Sequence, residues 1–155
     1  MTGRPDKRAI TSWAFYDFAN TIFSMNVISL YFALWVTVDH GGQDILYSLA
    51  LSGSMFAVAI SVPVFGAISD HTGRRQFPLT LLTLIAVIAT ALIGQTNQLG
   101  MGLCLFIIAN YCYQSALVFY NGMLPNVARH SSVGMISGYG VALGYVGSIA
   151  GLLLV

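Results

Sequence analysis

Side chains able to do chemistry are scarce in this chain and occur in two kinds of place. Asp17, Asn20, Ser24, Asn110, Gln114 and Asn121 lie within long apolar stretches, whereas Asp70, Arg74 and Arg75 share one short polar break. Polar groups at membrane depth face either a partner helix or a water-filled path. Carboxylates, amides and hydroxyls so placed can hold a passing solute by hydrogen bonds. Catalysis is served far less well. The chain has no Glu, and His40, His71 and His130 fall in three different breaks. His40 is expected on the opposite side of the membrane from the other two, so no His-based metal site could include all three. Neither a nucleophile elbow nor a phosphate-cradling loop is present. The reading is non-enzymatic, with no metal and no cofactor.

These residues need rods to carry them. At about 100° per residue, Trp13, Asp17, Asn20, Ser24 and Tyr31 project within about 60° of Asp17 on one helix. Asn110, Tyr113, Gln114 and Asn121 form a comparable stripe on another. Each stripe can line a pathway or simply hydrogen-bond a neighbouring helix. Asp17 has a further structural option. It lies about 8 Å in from the helix start, where the positive end of the helix dipole favours an anion. The stretch 79–93 is different, since its only polar side chains are threonines, which can bond back to their own helix. It is expected to face lipid.

Composition says what solvent surrounds the rods. Of the 155 residues 57% are hydrophobic and only 7% charged, with a mean hydropathy of +0.79. A soluble domain carries roughly 25% charged residues, so lipid must cover most of this surface. No basic cluster forms a nucleic-acid footprint. Cys104 and Cys112 share one apolar helix, roughly 12 Å apart along its axis, too far for a disulfide.

Crossing a bilayer takes about 20 mostly apolar residues, and segments 12–38, 45–69, 77–93, 100–124 and 133–155 meet or approach that length. Unpaired backbone groups are not tolerated in hydrocarbon, so each should be helical. The first is too long for the apolar core of a signal peptide and reads as an uncleaved span, preceded by a cytoplasmic segment, 1–11. Arg4, Lys7 and Arg8 precede the first span, Arg74 and Arg75 lie between the second and third, and Arg129 lies between the fourth and fifth. The other two loops carry no cation, so the positive-inside rule puts the N-terminus in the cytoplasm of a cell-membrane protein. The last apolar run stops at Val155 with no polar anchor, and a carboxylate there would sit in or near hydrocarbon. A longer protein, continuing past this point, is the simplest expectation.

The break between the second and third spans reads Gly66-Ala-Ile-Ser-Asp70-His-Thr-Gly73-Arg74-Arg75-Gln-Phe-Pro78. Gly66 would let a neighbouring helix approach closely. Asp70 falls at a helix C-terminus, where the dipole disfavours an anion, so it needs a partner such as Arg74 or the N-terminal end of another helix. Gly73 suits a turn with positive φ, and Pro78 suits the first turn of the next helix. The pattern can be a plain capped turn. It also resembles the signature of the major facilitator superfamily, found in the cytoplasmic loop between its second and third helices. That resemblance implies a cytoplasmic gate built from Gly66, Asp70, Gly73, Arg74 and Arg75, with Asp70 and Arg74 as a latch.

Three further stretches narrow the likeness: Trp13-x-x-Tyr16-Asp17-x-x-Asn20, Phe119-Tyr-Asn121-Gly-Met-Leu-Pro125, and the glycine-rich 137–147. Together they resemble the vacuole-effluxer-like branch, related to autophagy-associated vacuolar amino-acid exporters. The implied fold is all-α and integral to the membrane, about five helices from the N-terminal part of a 3+3 inverted repeat, ending before the sixth. The implied function is a secondary active, efflux-type permease for small solutes, amino acids among them. Its partners would be the bilayer, the solute and a missing C-terminal half, with no nucleic acid. The alternative is a non-transporting membrane piece with a structural or interaction role. Many proton-coupled members carry an arginine in the fourth helix, and many antiporters a Gly-Pro pair in the fifth. This chain has neither, and shows Gly144-Tyr145 at the latter place. The fifth span has Gly134/Gly138, Gly140/Gly144 and Gly147/Gly151 at small-x-x-x-small spacing. Gly138, Gly144 and Gly147 are read as packing or hinge positions.

Overall fold

The computed structural model describes residues 7–127 and 133–153. Arg4 and Arg129, which entered the charge argument, and His130 lie outside the described residues. Five helices among the described residues are long and apolar enough to cross a membrane: Arg8–Asp39, Asp44–Thr72, Gln76–Ile93, Leu99–Pro125 and Val133–Leu153. They match the five spans read from the sequence, and the apolar run beginning at Phe77 gains only one residue at its start.

The first span is not uniform. Helix α1 (Lys7–Ile22) runs on as a π-helix through Phe23–Tyr31, makes one α-turn at Phe32–Leu34, and ends as a second π stretch, Trp35–Asp39. Its wider i to i+5 closure shows in side-chain bonds as well: the Ser29 hydroxyl donates to the Ser24 carbonyl at 3.0 Å. The remaining helices are α2 (Asp44–Thr72), α3 (Gln76–Ile93), α4 (Leu99–Val127) and α5 (Val133–Leu153).

The chain divides into two compact units, Met1–Tyr31 with Met123–Val155, and Phe32–Gly122. In the first, α1 packs along α5. The seam on α5 is Gly140, Gly144, Gly147 and Gly151, all buried. A side chain built at these four would meet Trp13, then Thr21 and Asp17, then Phe18, then Asn26 and Ile22. Positions rise together on the two helices, so α1 and α5 run parallel. Spans one and five of an alternating chain must do so. Absence of Cβ atoms lets the backbones approach, the main source of helix affinity in lipid.

In the second unit α2 and α4 share a seam. Tyr47 packs on Phe106 with ring centroids 5.8 Å apart, Asn110 donates to Ser54 at 2.7 Å, and Phe65 meets Phe119 at 5.7 Å. Here too the numbers rise together, as spans two and four require. Phe32 stacks on Phe106 with centroids 3.9 Å apart and rings 1° from parallel. Helix α3 buries only a narrow stripe, Leu79, Ala86, Ala89 and Ile93. Leu81, Leu84, Val87, Ile88 and Leu92 are exposed on its other faces. Cys104 is exposed, Cys112 is buried, and both are free thiols.

Candidate functional site

The polar break between α2 and α3 is built from a helix end, a glycine turn and a new helix start. Gly73 adopts φ 62° and caps α2, its N–H bonding the Ser69 carbonyl. Only glycine takes this left-handed conformation without steric cost. The chain then enters α3 at Arg75, and Pro78 occupies the first turn, where its missing N–H costs nothing.

The cation beside Asp70 is Arg75. Its Nη2 lies 3.1 Å from Asp70 Oδ1, its Nε donates to Ser69 Oγ at 2.9 Å, and its Nη1 donates to the main-chain carbonyl of Gly122 on α4. Arg74, the partner expected from the sequence, is exposed. The reason is geometric: one residue further on, at the start of α3, the side chain can turn back over the end of α2 and reach α4. Gly66 also behaves differently from expectation. A Cβ there would meet nothing within 4 Å, whereas one at Gly122 would lie 3.3 Å from Arg75 Nε and 3.4 Å from Ser69 Oγ. The close approach occurs on α4 because Phe65 and Ser69, and not Gly66, face that helix.

The intramembrane polar residues divide between the two units. In the first, Asp17, Asn20 and Ser24 are half-buried. The Asp17 carboxylate points toward α5, and a Cβ at either Gly140 or Gly144 would lie 3.4 Å from its Oδ2. Thr21 bonds back to the Asp17 carbonyl at 2.8 Å. In the second unit Asn110 is fully buried, Gln114 is half-buried and Asn121 is exposed. Asn110 joins α4 to α2 through the Ser54 hydroxyl, which itself donates to the Leu51 carbonyl at 2.7 Å. A second link follows at Tyr111, whose hydroxyl donates to Ser61 at 2.9 Å.

Sequence reasoning passed over several of these groups. Ser54 and Ser61 lie seven residues apart, two turns of α2, and that spacing was a usable signal for a polar seam. Ser69 and Gly122 carried no signal of their own. Asn26 is only 4% exposed and sits against Gly151. On a regular α-helix it projects on the face opposite Asp17. It follows Phe18 and Ile22 at four-residue steps, and these two already meet α5 at Gly147 and Gly151, so Asn26 continues their face along the seam. Gly138 lies off that seam, with nothing within 4 Å of where its Cβ would be.

Residues 44–135, from the start of α2 into α5, match the family model described as vacuole effluxer Atg22 like. The chain belongs to this family. Within the major facilitator superfamily, it contributes five membrane-crossing helices of an effluxer-like protein. A protein of Aquifex aeolicus, uncharacterized, is 34% identical across 99% of this chain and 40% of its own length. The uncharacterized MFS-type transporter YxiO of Bacillus subtilis is 27% identical across 88% of this chain and 34% of its own. Autophagy-related protein 22-1 of Neosartorya fischeri is 32% identical across 51% of this chain and 13% of its own. The effluxer-like chain thus spans well under half the length of the curated relatives it matches. No solved structure matches it.

Proposed function

We propose that this chain forms part of a secondary active permease of the efflux type, moving small solutes by alternating access, with amino acids as the substrate class. Membership of the effluxer-like family carries this reading, together with a carboxylate and amides held at membrane depth where hydrocarbon would otherwise be cheaper. Asp17, Asn20, Ser24, Gln114 and Asn121 are the residues proposed to meet the solute, and Asn110 positions α4 through Ser54. Gly144 and Gly147 are proposed to set the close contact of α5 with α1, whereas Gly138 lies off that seam. The substrate path in this fold is completed by further segments in a protein of its relatives' length. The N-terminus is proposed to lie in the cytoplasm of the cell membrane, which puts Asp70 and Arg75 on the cytoplasmic side.

Reconstitution of the full-length protein in lipid vesicles, followed by efflux of a radiolabelled amino-acid mixture, tests the reading. Gradient-dependent flux is expected, falling at least tenfold on joint Asn20→Ala and Gln114→Ala replacement, by roughly the loss of a polar contact or two. Wild-type flux in the double variant would remove both residues from the path.

A further inference from the structure

Each of the three guanidinium nitrogens of Arg75 donates to an acceptor within one unit. Two of its acceptors are neutral, the Ser69 hydroxyl and the Gly122 carbonyl, and the third is the Asp70 carboxylate. Exposure separates them. The Arg75 side chain is 16% exposed and that of Asp70 is 80% exposed, while Ser69 is buried. An ion pair so open to water contributes little, whereas the Arg75 cation, itself mostly out of water, makes charge-assisted bonds to the Ser69 hydroxyl and the Gly122 carbonyl. The fork therefore ties the end of α2 and the start of α3 to α4, and Asp70 is held by it.

We propose that Arg75 is the cation of the cytoplasmic latch, that its anchor is the Gly122 main-chain carbonyl, and that Ser69 and Gly122 act as positioning residues for it. Arg74 takes no part. The consequence for flux rests on the transporter reading above, but the clamp itself does not. Gly122 is needed because a branched side chain there would press on Arg75 Nε and Cδ, at 3.3 and 3.5 Å from the Cβ alone. Lysine cannot replace Arg75, since one ammonium does not span three divergent acceptors. Charge exchange fails as well. A simple ion pair would survive it, but an aspartate at position 75 has no N–H to offer Ser69 or Gly122.

Full-length protein in lipid vesicles is the material for the test, with two readouts. Hydrogen–deuterium exchange of peptides covering 66–76 and 119–125 reports the clamp. Maximal rate and KM for a radiolabelled amino-acid mixture report its effect on transport. Arg75→Lys, Gly122→Val and the exchange pair Asp70→Arg with Arg75→Asp should each speed exchange in both peptides by roughly tenfold, the factor expected for one lost charge-assisted bond. They should lower the maximal rate and leave KM within about twofold. Ser69→Ala should give a smaller change in the same direction, and Arg74→Gln none. Restoration of wild-type exchange by the swapped pair, or an Arg74→Gln effect equal to that of Arg75→Lys, would overturn the proposal. An inactive wild type would sink the transporter reading alone, because exchange still decides the clamp.

Discussion

Alanine at Gly147 would place a methyl group 2.6 Å from the main-chain carbonyl oxygen of Phe18 and 3.0 Å from its ring. The carbonyl belongs to a hydrogen-bonded helix and cannot rotate aside. To regain ordinary contact at 3.4 Å, α1 and α5 must separate locally by about 0.8 Å, and neighbouring contacts along the seam loosen with them. Overpacking of this kind costs about 1–3 kcal/mol. Gly144→Ala should cost less, because the obstructing atom is the Thr21 hydroxyl at 2.5 Å, a side-chain group that can change rotamer once it gives up its bond to Asp17. Gly138→Ala meets nothing within 4 Å and gains the helix propensity of alanine, up to about 1 kcal/mol. The expected order of stability is therefore Gly138→Ala at or above wild type, then Gly144→Ala, then Gly147→Ala. Detergent-solubilised full-length protein, unfolded by SDS titration and followed by tryptophan fluorescence, reads this out, since Trp13 is packed at the Gly140 end of the same seam. Equal stability of Gly147→Ala and Gly138→Ala would refute the parallel α1–α5 seam.

Three shorter predictions follow from the same geometry. A double-mutant cycle on Asn110→Ala and Ser54→Ala should give a coupling energy of about 0.5–2 kcal/mol in favour of the pair, and zero coupling would deny the bond between α2 and α4. Gly102→Ala would collide with the Trp35 ring, which stacks on Phe32 at 5.5 Å. That variant should lose about 1–3 kcal/mol and shift Trp35 emission to the red, and an unchanged spectrum would count against the packing. In a background without native cysteines, Cys at His71 should react with an impermeant maleimide only after the cytoplasmic face is exposed, and Cys at Gln43 from outside intact cells; the reverse pattern would invert the proposed orientation.

Much of the architecture was legible in the residues because hydrocarbon leaves the backbone few choices. Spans had to be helical and about 20 residues long, and Gly73, as a glycine in the polar break, suited the turn at which its φ proves to be 62°. The free cysteines needed no more than their spacing.

Azimuth and register were another matter, and tertiary packing alone decided them. Three glycine pairs on α5 share the same spacing, yet Gly140, Gly144, Gly147 and Gly151 meet α1 while Gly134 and Gly138 meet nothing, because which face is turned inward depends on the partner. Adjacent arginines are indistinguishable in sequence. Arg75 and not Arg74 takes Asp70, since from the residue just before α3 the guanidinium reaches Ser69 and Gly122 together. Asn26 lies on the face of Phe18 and Ile22, and only the packing showed that this face meets α5. Length and polarity are properties of a segment by itself, whereas the direction a side chain faces is a property of the helices packed around it.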